Sequence, residues 1–354
     1  MTYQIGVLDG DDIGPEIVPV AVDVLVAALA RAGARDVALH PLPIGADAYA
    51  RLGSTFPEQT RDALPGMHGV ILGPIGHAAY PAGDPNAINP HPVIRRTLDL
   101  YANHRPARSY PDLPSLHDNV DLVVLRENNE GFQPDRNMLR GSGEFQPDED
   151  HAYSIRVITA RQSARIAREG FELARQRRRR VTAIHKRTVF KLTDGLFLRE
   201  VRRVAADYPD VELDDYQVDT AALHLVRRPQ DFDVVLCTNM FGDILSDLAA
   251  GLVGGLGMAP ALSAGDDVAM AQATHGSAPD IAGTGAANPY AMIMSVQMLL
   301  EWLGHKHHDA QLTAAARHIR DAAERALATP EHRTPDLGGA ASTSQMGAAI
   351  IQAL

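Results

Sequence analysis

The chain has 354 residues, 45% of them hydrophobic, enough for one large or two modest packed cores. Its 33 basic and 44 acidic side chains leave a formal net charge of −11, which favours solubility and excludes the broadly basic face of a nucleic-acid binder. The lone cysteine, Cys237, excludes an intrachain disulfide framework and reads as a buried, inert thiol in Val234-Val235-Leu236-Cys237.

Residues 3–8 read as a strand that runs into Asp9, Asp11 and Asp12. With no basic start or apolar core, no secretory leader is expected, and a cytoplasmic setting is. Pro15 suits the first turn of a helix whose apolar positions Ile17, Val20, Val24, Leu25 and Leu29 recur at helical spacing, with Gly33 as its stop. Val70-Ile71-Leu72 reads as a buried strand. The Pro-, Gly-, His- and Asn-rich residues 74–92 read as a functional loop, followed by a helix-like Val93 to Tyr101.

A buried strand over 120–125 ends at Arg126, and residues 131–151 read as an excursion before a β-like segment over 153–158. A helix is expected over 160–176. The run Arg177-Arg178-Arg179-Arg180 behind it reads as a solvated helix end rather than a binding patch. Strands follow at 181–184 and 234–237. Asp219 closes an alternating strand between them, and a helix covers 241–252. The uncharged stretch between Asp247 and Asp266 carries glycines and Pro260, so a buried helix and a loop are expected there, not a membrane span. This alternation of strand and helix is the pattern of an α/β protein.

Three groups of residues carry chemistry. Asp243 and Asp247 stand at i and i+4, so both carboxylates leave one helical face. Like charges there repel by a few tenths of a kcal/mol, roughly, unless a cation sits between them. Paired oxygen donors suit a hard divalent ion such as Mg²⁺ or Mn²⁺, although two solvated acids near a helix start would look the same. Lys186, in His185-Lys186-Arg187-Thr188, falls at a strand end, where active sites of open α/β sheets form; a nearby cation and arginines would favour the neutral base. Arg95, Arg105 and Arg126 form the third group. Salt bridges to Glu127 or Asp99 would account for any one of them, whereas a di- or tricarboxylate accounts for three.

Longer motifs run through the chain in order. They are Gly10-Asp11-Asp12-Ile13-Gly14-Pro15-Glu16, Leu100-Tyr101-Ala102-Asn103-His104-Arg105-Pro106, Arg126-Glu127-Asn128, His185-Lys186 and Lys191-Leu192-Thr193-Asp194-Gly195-Leu196-Phe197. Asn239 to Leu248, His275 to Gly283 and Thr334-Pro335-Asp336-Leu337-Gly338-Gly339 complete the set. Together they resemble the isocitrate/isopropylmalate dehydrogenase family of β-decarboxylating enzymes.

That resemblance implies an α/β fold of two domains sharing a central sheet, with the active-site cleft between them. A cofactor-side domain would comprise 1–101 and 253–354. Residues 102–252 would form the metal, substrate and dimerisation domain, with 131–158 as a dimer arm. It further implies a homodimer with shared active sites, no nucleic-acid or membrane partner, NAD as cofactor and Mg²⁺ or Mn²⁺ as metal. Asp243 and Asp247 would bind the metal, with Asp219 contributed across the dimer. Arg95, Arg105 and Arg126 would hold the substrate carboxylates, and Lys186 of the other subunit would act on the C2 hydroxyl. The loop His275-Gly276-Ser277-Ala278-Pro279-Asp280 and Asn288 would bind adenosine. Asp280 at the ribose would accept hydroxyl hydrogen bonds and repel a 2′-phosphate, which favours NAD over NADP.

The chain departs from the family pattern in its later chemistry. The tyrosine expected seven residues after the Arg126 position is Gln133, which cannot donate a proton as a phenol does. The asparagine expected two residues after Lys186 is Thr188, and the glutamate expected three before His275 is Gln272; the resemblance places both near the nicotinamide. Asn89 and His91 occupy the positions that recognise the substrate's third group, so a polar or anionic group is expected rather than isopropyl. The expected activity is oxidation and decarboxylation of a 3-substituted malate of isocitrate, homoisocitrate or isopropylmalate type. Alternatives are action on tartrate or malate, hydride transfer with altered later steps, and a non-catalytic ligand-sensing subunit.

Overall fold

A computed structural model describes residues 2–111, 113–133 and 141–354; of the expected dimer arm, 134–140 thus lies outside the described residues. The chain forms two compact units, one of Met1–Leu98, Pro111–Pro114 and Gly254–Leu354, the other of Asp99–Tyr110 and Ser115–Val253.

The first unit carries a sheet in the order Val37–Pro41, Tyr3–Leu8, Gly69–Leu72, Ala269–Ala271, Leu262–Ala264. The first four strands run parallel and the last antiparallel to its neighbour. The expected strand at 3–8 and helix from Pro15 are present. Helix Gly14–Ala32 ends at Gly33 in the left-handed conformation (φ 72°), whose N–H caps the carbonyls of Ala30 and Leu29.

In the second unit the order is Ala102–Arg108, Asp121–Glu127, Val234–Cys237, Arg180–His185, Glu212–Gln217. Only the first pair is antiparallel. The three central strands, Asp121–Glu127, Val234–Cys237 and Arg180–His185, have largely apolar, buried interiors because both faces are covered. Leu125, Val181, Ala183, Val234 and Leu236 pack with Ala167 and Phe171 of helix Ala160–Arg175 and Phe197 of helix Thr193–Ala205. Their alternates Val124, Ile184, Val235 and Cys237 pack with Leu225 of helix Val218–Arg227 and Leu245 of helix Asn239–Val253. Burial pushes the Cys237 thiol far above its ordinary range, so it stays protonated, as expected of an inert core thiol.

Several expectations are corrected. The helix expected over 93–101 is Pro90–Thr97: Asn89 caps it by accepting the N–H of His91, Pro90 opens it, and Asp99 (φ 47°) turns the chain out. The β-like 153–158 segment is a shorter strand, His151–Ser154, paired in an exposed hairpin with Glu144–Asp148. Asp219 is not a strand residue. It lies in the first turn of helix Val218–Arg227, where a carboxylate is favoured by the helix dipole.

Arg178 and Arg179 of the arginine run are exposed, as expected of a solvated helix end, while Arg177 and Arg180 are engaged in ion pairs. Arg177 Nε donates to the buried Asp233 at 2.7 Å and its Nη2 to Asp121 at 2.8 Å, while Arg180 Nε donates to Asp214 at 3.0 Å. These pairs tie together the strand ends beneath the sheet. Among the described residues no helix is long and apolar enough to cross a membrane.

Candidate active site

The parallel strands Asp121–Glu127, Arg180–His185 and Val234–Cys237 carry Arg126 next to the end of the first, Lys186 just after the second, and Asn239 two residues after the third. Carboxyl ends of parallel strands are where open α/β sheets place chemistry. Arg105 and Arg126 come together through register: Asn103 pairs with Arg126 across the antiparallel ladder, and Arg105 lies two residues along on the same face.

Both guanidiniums are buried, with only 8% and 3% of their side chains exposed, and both turn toward helix Asn239–Val253. Arg126 Nε and Nη2 donate to Asn239 Oδ1 at 2.9 and 2.7 Å, and Nη1 donates to Asp243. Arg105 Nη1 donates to Asp243 at 3.1 Å and Ser246 Oγ at 2.7 Å, and lies 3.7 Å from Asp247. The two carboxylates are about half exposed. Burial, with the neighbouring Asp243 charge, raises the Asp247 pKa against the pull of Arg105. Burial lowers the Arg105 pKa, opposed by Asp243 and Asp247. The result is an open acidic pair backed by two buried cations.

The helix reaches this position because residue 242 is glycine. A Cβ there would stand 2.7 Å from Arg126 Cβ and 2.8 Å from its Cγ. Gly131 does the same on the other side: its φ is 100°, and an added Cβ would meet Asn239 Cβ at 2.9 Å.

Lys186 and Asp219 form a separate pair. Lys186 Nζ donates to Asp219 Oδ1 at 2.8 Å, and that hydrogen bond holds the Asp219 carboxyl below its ordinary range. The Lys186 backbone N–H donates at 2.5 Å to Asp194, which is fully buried and faces Arg156 at 2.6 Å. Arg156 in turn lies over the rings of Phe132, Phe190 and Phe241. The structure therefore joins Arg105, Arg126, Asp243 and Asp247, and joins Lys186 with Asp219. Among the described residues no three His, Cys, Asp or Glu side chains gather to hold a metal.

In the first unit, Gln272 bridges two expected substrate residues. Arg95 Nη2 donates to its Oε1 at 3.4 Å, and its Nε2 lies 2.6 Å from His91 Nε2. The loop 275–283 is tied to helix Gly14–Ala32 by Glu16, which accepts the N–H groups of Gly283 and Gly285. Ser277 also accepts the N–H of Ile13. These bonds give Ile13 and Glu16 of the Gly10–Glu16 motif their place. Asp280 is exposed on the short Pro279–Ile281 turn. Asn288 accepts the Tyr290 N–H at 2.9 Å and donates to Asp336 at 3.0 Å.

The donor sets suit the implied groups. Asp243 and Asp247 offer half-exposed hard oxygens, as a divalent cation that keeps some water requires. In the 275–283 loop, His275 Nδ1 lies 2.9 Å from the Gly276 carbonyl, so it carries the proton. Its Nε2 is a buried acceptor with no partner among the described residues, and burial lowers the ring's pKa, which keeps it neutral. A ligand amino group would satisfy it. Asn239, Asp194 and Glu16 each lie in a sequence motif but gain a role only from these contacts. So does Ser246, between the two aspartates, and Arg156 has no local signal at all.

A family model described as isocitrate/isopropylmalate dehydrogenase matches residues 4–350. An isocitrate/homoisocitrate dehydrogenase of Thermus thermophilus is 41% identical, covering 100% of this chain and 99% of its own length. A 3-isopropylmalate/3-methylmalate dehydrogenase of Methanocaldococcus jannaschii is 38% identical over 99% of this chain and 98% of that one. The crystal structure of isocitrate dehydrogenase from Methylococcus capsulatus superimposes with a TM-score of 0.87 at 39% identity, covering 99% of both chains. On this evidence of sequence and fold from end to end, the chain belongs to the isocitrate/isopropylmalate dehydrogenase family.

Proposed function

We propose that this chain oxidises and decarboxylates a 3-substituted malate, using NAD and a divalent cation. The observation that carries the reading is the pair of buried arginines converging on two half-exposed aspartates. A cation alone would not need the arginines, and an anion alone would not need the aspartates. A metal-bound hydroxy acid needs both.

In this reading Asp243 and Asp247 hold Mg²⁺ or Mn²⁺, and Asp219 of a second copy completes the set, the active form being a homodimer. The cation, when bound, polarises the C2 oxygen and stabilises the charge left by departing CO₂. Arg105 and Arg126 release Asp243 to the cation and turn to substrate carboxylates, and Arg95 binds a further one. Lys186 of that second copy, paired with its Asp219, takes the C2 hydroxyl proton. NAD, when bound, accepts the hydride, with His275 at the adenine and the exposed Asp280 carboxylate at the ribose, where it disfavours a 2′-phosphate. Asn288 already uses its amide within the chain, so it would act by shaping this loop as much as by touching a base.

Purified protein with NAD, Mn²⁺ and a panel of malate-type acids tests the reading by producing NADH and CO₂ together. NADH without CO₂ would select a dehydrogenase with altered later steps, the reading that Gln133 favours. Tight binding of an acid without turnover would select a ligand-sensing subunit.

A further inference from the structure

Residues 74–89 join strand Gly69–Leu72 to the helix Pro90–Thr97, which carries His91 and Arg95. Apart from a short turn at His77–Ala79 they have no regular structure, and residues 77–79, 81–83 and 85–86 are exposed. A stretch with so little apolar burial keeps one conformation only where polar bonds hold it. Those bonds converge on Asp11.

Asp11 is buried, and its carboxylate takes three donors: Oδ1 accepts the Ala46 N–H at 2.7 Å, and Oδ2 accepts the Gly76 N–H at 2.8 Å and the Tyr80 hydroxyl at 2.6 Å. Its own N–H donates to the Pro74 carbonyl at 2.7 Å. Burial, then the hydrogen bond and charge of Asp11, raise the Tyr80 pKa, so the phenol keeps the proton it donates. The bond to Ala46 extends the hold, because Ala46 lies in the first turn of helix Gly45–Leu52. Tyr49 on that helix donates to Asp84 at 2.6 Å. Thr55, just beyond it, donates through Oγ1 to the carbonyls of Ile88 at 2.8 Å and Asn86 at 3.2 Å. Ile88 immediately precedes Asn89, whose side chain caps the helix Pro90–Thr97. One buried carboxylate thus anchors the loop directly at its start and, through helix Gly45–Leu52, at its tip and its return.

We propose that Asp11 and Tyr80 are positioning residues: their bond holds residues 74–89 in the conformation that presents Asn89 and His91 before the acid arrives, on the reading above that those two side chains meet it. Order paid for in the free protein need not be supplied by the ligand, so the pair acts on acid affinity rather than on the chemical step.

Tyr80→Phe removes the hydroxyl, keeps the ring and leaves Asp11 its two backbone donors, so the fold should survive with Tm little changed. A hydrogen bond to a charged acceptor shifts a local equilibrium by about tenfold. Hydrogen exchange read by mass spectrometry should therefore show residues 76–80 exchanging about tenfold faster, with helix Ala160–Arg175 unchanged. Calorimetry in Mn²⁺ with isocitrate, or with the malate-type acid that binds best, should give a Kd about tenfold weaker. In turnover the loss should fall on KM for that acid, with kcat within about twofold, a split that general destabilisation does not produce. Asp11→Asn should exceed Tyr80→Phe in both exchange and Kd, since its amide nitrogen has to face a backbone N–H. Unchanged exchange in Tyr80→Phe would overturn the latch, and faster exchange with an equal or tighter Kd would overturn the positioning role. If no malate-type acid binds the wild type, the proposed function fails and the positioning role with it, while exchange still decides whether Asp11 and Tyr80 order the loop.

Discussion

Arg126 reaches Asn239 with two nitrogens at once: Nε and Nη2 both donate to the same Oδ1, at 2.9 and 2.7 Å. This leaves Nη1 for Asp243. Only a planar guanidinium places three donors in that fan, so the arginine fixes both the first turn of the helix and the charge beside the aspartate pair.

Arg126→Lys should therefore fail although it keeps the charge. One ammonium cannot serve Asn239 twice and Asp243 as well, and a buried polar atom left short costs about 1–3 kcal/mol. We expect kcat/KM to fall by about a hundredfold or more on the best acid, with a modest loss of thermal stability. A variant within a few-fold of wild type would show that the fork is dispensable.

Gly242→Ala should destabilise, against the usual trend. Alanine in a helix interior normally gains about 1 kcal/mol over glycine. Here the new methyl would meet Arg126 Cβ at 2.7 Å and its α-carbon at 3.1 Å, and no flexible side-chain end can move aside. Overpacking of this kind costs about 1–3 kcal/mol, so the clash outweighs the propensity. Urea midpoints of the two proteins give the sign directly.

Glu130 gives a pH signature. Burial, then the nearby Glu127 charge, raises its pKa from 4.5 to about 7, although Thr159 donates to it through N and Oγ1 at 2.8 Å each and Arg156 pulls the other way. The folded pKa is raised, so this group costs nothing below pH 4.5. As pH climbs toward 7 the unfolded chain ionises freely and the folded one does not, and stability is lost across that window. The difference amounts to about 3 kcal/mol. Glu130→Gln, which keeps the Thr159 bonds available, should match wild type near pH 4.5 and exceed it at pH 8. Parallel stability curves for the two across that range would show that Glu130 titrates normally.

Asp243→Asn with Asp247→Asn should weaken Mn²⁺ binding by about a hundredfold or more, measured by electron paramagnetic resonance of free ion. In the wild type a carboxylic acid of the right class should tighten Mn²⁺ binding, because it takes the arginines off Asp243. Mn²⁺ affinity indifferent to both changes would remove these residues from the metal site.

Gln133→Tyr should raise the fraction of oxidised acid that completes decarboxylation and protonation, since the phenol is a proton donor that the amide is not. Comparing NADH and final keto acid formed per acid consumed measures it. No change would mean that protonation already has another adequate source.

The sequence alone was enough to reveal the α/β alternation, the strand at Val234–Cys237, the facing pair Asp243 and Asp247, and the strand-end position of Lys186. Each depends on periodicity or on spacing within one element, which chemistry acts on locally. Only the tertiary structure showed that Arg105 and Arg126 lean on one helix, that Asp219 opens a helix beside Lys186, and that the arginine run clamps strand ends. It also revealed Gln272 between Arg95 and His91, partners 177 and 181 residues away in the chain. Those contacts are set by sheet register and by buried donors finding acceptors, and no stretch of sequence contains both ends of such a bond.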